Sequence, residues 1–138
     1  MRICKTTGET EKIAKEVAEK VVGGGIVYLY GDLGSGKTVF AKGMAKKFGI
    51  DDFSVKSPTF NYIRRYGDFY HIDLYRLEEV DELLEHEIKE LMSDEKNTIV
   101  IEWADKLGGS KFPDGIKVKM EYLGENERGV EVIPSTVQ

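Results

Sequence analysis

The chain has 138 residues, with 20 Lys and Arg against 25 Asp and Glu for a formal charge of −5. That length suits a single domain, 1–138, with a real core but little room for a lid or helical subdomain, and the acidic balance argues against gripping nucleic acid through a broad basic surface. One cysteine, Cys4, excludes an internal disulfide framework and has no metal-site spacing around it; with no apolar run of transmembrane length and no signal-peptide core, the expectation is a soluble cytoplasmic protein without a membrane partner.

Along the chain, Thr6-x-x-Glu9 has the form of a capping box, and Ile13, Val17 and Val21 recur every four residues until Gly23-Gly24-Gly25 ends the predicted helix. The run Ile26-Val27-Tyr28-Leu29-Tyr30 then reads as a buried strand. Gly31-Asp32-Leu33-Gly34-Ser35-Gly36-Lys37-Thr38 follows and fits the P-loop pattern G-x-x-x-x-G-K-[ST] at every fixed position. Its glycines let the backbone turn tightly and bring N–H groups to phosphate oxygens, Lys37 adds a positive charge near the β and γ phosphates, and Thr38 offers a hydroxyl to Mg²⁺. A helix with Phe40, Met44 and Phe48 at helical spacing is expected behind it, its positive end facing the phosphates.

A polar stretch leads to Ser57-Pro58-Thr59, where Thr59 is a candidate switch hydroxyl sensing Mg²⁺ and the γ-phosphate. Two β-like runs at 60–64 and 69–73, separated by Tyr66-Gly67-Asp68, predict a hairpin. Asp73 ends the second run as a candidate acid, while His71, on the same face, reads as a structural residue. Residues 77–92 predict an amphipathic helix with a strongly negative outer face, read as solvated. Thr98-Ile99-Val100-Ile101-Glu102 is a strand of the buried parallel kind ending in a carboxylate, and since ligands in open α/β sheets sit beyond the strands' carboxyl ends, Glu102 belongs beside the P-loop. It either serves Mg²⁺ or orients the attacking water, and Asp73 could share that work. Trp103 is either core or a cover for the nucleotide. Ile116, Val118, Met120 and Tyr122 alternate with charged residues before a last strand at 130–133, which predicts a C-terminal antiparallel hairpin and a frayed tail at 134–138. Lys42, Lys46 and Lys47 with Arg64, Arg65 and Arg76 could contribute a local basic patch, although the lysines, at helical spacing, read as a solvated face.

Four blocks in order, Gly31 to Thr38, Ser57 to Phe60, His71 to Leu77 and Glu102-Trp103, resemble the TsaE (YjeE) family of small P-loop ATPases in tRNA threonylcarbamoyladenosine biosynthesis, whose pattern runs G-D-L-G-x-G-K-T, S-P-T-[FY], H-x-D-L-Y-R-[LI], E-W. The resemblance implies an α/β P-loop fold of three layers, with a mixed, largely parallel sheet between helices and a C-terminal hairpin. It implies an ATPase with ATP/ADP and Mg²⁺ that supports threonylcarbamoyl transfer to N6 of adenosine 37 in tRNA without performing it. The partners implied are a TsaD-like transferase and its TsaB-like paralogue, with tRNA contacted indirectly. By the same resemblance, Lys37 and the backbone of Leu33, Gly34, Ser35, Gly36, Lys37 and Thr38 hold phosphates. Thr38 and Glu102 serve Mg²⁺, Asp73 assists hydrolysis, and Thr7 and the hairpin loop at 124–128 lie near the adenine. The second Thr usual in the family is Val39 here, so Thr38 carries the hydroxyl contribution alone. Two other readings stay open: a small-molecule P-loop kinase, and a nucleotide-gated binding module with negligible turnover.

Overall fold

The apolar runs of the sequence are gathered into one mixed sheet in the computed structural model, which describes residues 1–51, 62–108 and 112–136. Its strands are β1 (Arg2–Cys4), β2 (Gly25–Tyr30), β3 (Ile63–Tyr66), β4 (Phe69–Asp73), β5 (Thr98–Glu102), β6 (Ile116–Gly124) and β7 (Glu127–Ile133), in the order β1-β7-β6-β2-β5-β4-β3. The central strands β6, β2, β5 and β4 run parallel, and antiparallel partners close both edges. The parallel strands β2 and β5 are covered on both faces, which is why their sequences are continuous apolar runs rather than alternating ones. In β6, Ile116, Val118 and Met120 point inward while Lys117, Lys119 and Glu121 point to solvent.

Helices α1 (Thr7–Lys20) and α2 (Lys37–Lys47) cover one face, where Val17, Phe40 and Met44 meet Leu29, Val100 and Val118. Their approach is close: a Cβ on Gly43 would lie 2.9 Å from the Ala14 methyl and 3.1 Å from the Glu11 Cα, so only glycine fits between the two helices there. The third helix, α3 (Glu82–Ser93), covers the opposite face through Leu84 and Ile88 against Ile72, Ile99 and Ile101.

Local chemistry sets the boundaries. The Thr6 hydroxyl accepts the Glu9 N–H at 3.1 Å, as a capping box requires, but the Glu9 carboxylate accepts the N–H of Lys5 at 2.7 Å rather than that of Thr6. The helix expected over 77–92 begins at Glu82, because the Asp81 carboxylate accepts the Leu84 N–H at 2.8 Å and caps it there. The first hairpin strand begins at Ile63, residues 60 and 61 lying outside the described residues. The C-terminal hairpin is not the sheet edge, since β1 pairs antiparallel with β7 beyond it. Nor is the tail frayed through residue 136: Asp114 accepts bonds from the Ser135 hydroxyl at 2.9 Å and the Thr136 N–H at 2.7 Å. Those bonds hold the Asp114 carboxyl well below the usual carboxylate range. Among the described residues, no helix is long and apolar enough to cross a membrane.

Candidate functional site

β2 ends at Tyr30, and the chain turns at Gly31 with a φ of +148°. A Cβ there would run into the Met120 carbonyl oxygen and lie 2.6 Å from Ser35 Oγ, so the loop closes onto β6 only because the residue is glycine. Gly36 sits at the head of α2 in the left-handed region, and no side chain caps the helix. The first-turn N–H groups and the positive helix end therefore suit an anion.

Lys37 is 4% exposed. Its ammonium donates to the carbonyl oxygens of Gly31 and Asp32, the latter at 2.8 Å, and to Ser35 Oγ at 3.2 Å. It also lies 3.9 Å from the centre of the Trp103 ring, an attractive placement of a cation on an aromatic face. Burial pulls its pKa down, while the negative charges of Glu102, Asp105, Asp32 and Asp73 oppose that fall. Its direct hydrogen-bond partners are neutral oxygens, which an anionic partner could replace.

Glu102 ends β5 beside Leu29 of β2 on one side and Asp73 of β4 on the other. Only 1% of it is exposed, and both carboxylate oxygens are engaged. Oε1 accepts the Thr38 hydroxyl at 2.8 Å, and Oε2 lies 2.5 Å from His71 Nε2. Burial pushes its pKa up, but the bonds from His71 and Thr38 and the positive charges of His71 and Lys37 more than offset this, and the net direction is down. Asp73 moves the other way: burial and the charge of Glu102 raise it, opposed by the N–H of Tyr75, which donates to its Oδ1 at 3.0 Å.

A cavity of about 530 Å³ opens over this arrangement. Its walls include Leu33, Gly34, Gly36, Lys37 and Thr38 of the P-loop, Glu102 and Trp103, and also Thr7 and Asn126. Of the residues singled out in the sequence, Ser35 is fully buried, and Asp73, beside Glu102 on the neighbouring strand, is not part of the wall. Thr59 lies outside the described residues.

Two residues that already lie in the TsaE-like blocks and the hairpin loop gain partners that no local pattern specifies. Arg128, from β7, donates through Nε to the Gly34 carbonyl at 2.7 Å and through Nη1 to Gly124 and Glu127 carbonyls at 2.6 and 2.9 Å. It thus ties the β6–β7 turn to a loop distant in sequence. His71 reads as structural from the sequence, yet its partner is the strand-end acid itself.

The donor set near Thr38 and Glu102 is hydroxyl and carboxylate oxygen, which suits a hard cation. Among the described residues, no three His, Cys, Asp or Glu side chains cluster as a self-contained metal cage. Mg²⁺ commonly takes one or two protein oxygens of the kind Thr38 and Glu102 offer and completes its shell with phosphates and water.

The sequence model described as "Threonylcarbamoyl adenosine biosynthesis protein TsaE" matches residues 4–130, a span that contains every residue of the cavity wall named above. The chain belongs to the TsaE family. A TsaE protein of Rickettsia felis, named as a tRNA threonylcarbamoyladenosine biosynthesis protein, is 36% identical over 140 residues, covering 99% of this chain and 81% of that one. The TsaE protein of Bacillus subtilis, with the same name, is 35% identical over 130 residues, covering 88% and 77%. Among solved structures, the crystal structure of Bacillus subtilis YdiB superposes with a TM-score of 0.71 at 28% identity, covering 94% of this chain and 80% of that one. The α/β fold and the family expected from the four TsaE blocks are both borne out.

Proposed function

We propose that this chain is an ATPase of tRNA threonylcarbamoyladenosine biosynthesis, binding ATP with Mg²⁺ and hydrolysing it to ADP and phosphate. Family membership supports the place in tRNA modification. The observation that carries the chemistry is the bond from Thr38 to Glu102 beside a buried Lys37 at the head of α2. It joins a P-loop hydroxyl to a strand-end acid in the wall of the cavity, next to the loop N–H groups that suit phosphate.

In this reading the triphosphate lies along the N–H groups from Leu33 to Thr38, and Lys37 exchanges its carbonyl partners for phosphate oxygens. The nucleoside end extends toward Thr7 and Asn126. Thr38 and Glu102 would hold Mg²⁺, which when bound neutralises charge on the phosphate oxygens. Asp73 assists hydrolysis by orienting the attacking water, and Thr59 is assigned the switch hydroxyl that senses Mg²⁺ and the γ-phosphate. Water attacks the γ-phosphorus, the bond to the β-γ bridging oxygen breaks, and ADP and inorganic phosphate leave. The chain works in the cytoplasm by docking on a TsaD-like transferase and its TsaB-like paralogue, resetting that pair between cycles, with tRNA contacted through the partners.

Phosphate release from Mg-ATP in the presence of the partner pair tests the chemistry. Thr38→Ala and Lys37→Ala are expected to lose roughly 10²-fold or more, as removal of a single electrostatic contact in such sites does. Val39→Thr stays close to wild type. Background rates in the wild type, or full activity in Thr38→Ala, contradict the assignment.

A further inference from the structure

His71 and Glu102 form a buried contact that the chemistry proposed above leaves unused. Both side chains are about 1–2% exposed, and 2.5 Å separates Nε2 from Oε2. β4 and β5 are parallel with Asp73 opposite Glu102 and His71 opposite Val100, so the imidazole lies on the Glu102 face, one step back from the strand ends. An ionised carboxylate has no proton to give, so the attractive form of this contact is an Nε2–H of His71 donating to Oε2. Burial of a carboxylate to this depth is costly unless its oxygens find donors, and Glu102 has two, His71 and Thr38.

The two bonds do different things. The one from Thr38 joins the acid to the helix that carries the P-loop lysine, while the one from His71 comes from below, within the sheet. With Oε2 anchored, rotation of the carboxylate about its terminal torsion is arrested and Oε1 is kept toward Thr38. A terminal sp³–sp² torsion of this kind is otherwise broad. We infer that His71 is a positioning residue, fixing the Glu102 carboxylate so that Oε1 stays available with the Thr38 hydroxyl to a Mg²⁺ ion. This rests on the reading of Glu102 as an Mg²⁺-serving acid. Hydrogen-bonding partners behind metal ligands act in this way generally, setting ligand orientation without touching the ion.

The test uses the full chain and a fluorescent ATP analogue, titrated with and without Mg²⁺, beside thermal melts. In the wild type, Mg²⁺ tightens binding of the analogue, and Glu102→Gln removes that gain. His71→Leu binds the analogue without Mg²⁺ as the wild type does, because the P-loop is untouched, but the Mg²⁺ concentration needed for half the gain rises about 10–100-fold. His71→Gln carries an amide N–H at the reach of Nε2 and recovers most of the loss, whereas His71→Asn, one methylene shorter, does not. The Gln and Asn pair decides the matter if the Leu variant fails to fold. An unchanged Mg²⁺ requirement in folded His71→Leu, or equal impairment in the Gln and Asn variants, overturns the inference while leaving the role of Glu102 intact. A wild-type Mg²⁺ gain that survives in Glu102→Gln overturns the role of Glu102 and the inference together.

Discussion

Two carboxylates end neighbouring strands in register, and their surroundings separate them. Glu102 has two donors and nearby positive charge, which hold it ionised in spite of burial; Asp73 has one backbone donor and faces the negative charge of Glu102. Because the folded pKa of Asp73 lies above its ordinary 3.8, ionising it costs folding stability. That cost is absent at pH values below 3.8 and complete once the pH has risen past the raised folded value. Asp73→Asn keeps an Oδ1 for the Tyr75 N–H and removes both the buried charge and its repulsion from Glu102, so at neutral pH the melting temperature should rise. The gain should vanish at acid pH, and phosphate release should fall because Asp73 is assigned to hydrolysis. A neutral-pH melting temperature unchanged or lowered would count against the electrostatic account. At this scale the sequence identifies both acids as strand ends beside a P-loop but leaves their roles unresolved. The donors that separate them, Thr38 and His71, reach Glu102 across 64 and 31 residues, beyond any local pattern.

Among the elements, those with long apolar runs or firm turn chemistry are the ones sequence patterning finds: β2, β5 and β6, and the helices α1 and α2. β1 escapes because three residues are too few to display a period, and its pairing with β7 is a tertiary matter. The start of α3 is misread for a different reason. Leu77 and Val80 continue the helical spacing backward, but they pack on the core from the irregular segment before Asp81. Asp81 is the residue that fixes the boundary, so Asp81→Ala should cost about 0.5–2 kcal/mol in urea unfolding, the usual range for losing an N-cap. Unfolding at the wild-type midpoint would mean that packing alone starts the helix.

For the whole molecule, sheet order does the work that local motifs cannot. Placing β2 between β5 and β6 sets the P-loop between Glu102 and the C-terminal hairpin, and Arg128 then reaches Gly34 across 94 residues. The hairpin as an element is legible from its alternation, but that it closes onto the nucleotide loop is a consequence of register and topology. The central claim is that ATP turnover at Thr38, Lys37 and Glu102 serves repeated tRNA modification. Its most direct test is the amount of threonylcarbamoyladenosine formed per transferase molecule in a reconstituted system with the partner pair, tRNA and either wild type or Lys37→Ala. The account predicts many products per transferase with the wild type and no more than about one with Lys37→Ala. Repeated turnover with Lys37→Ala, equal to the wild type, would contradict it.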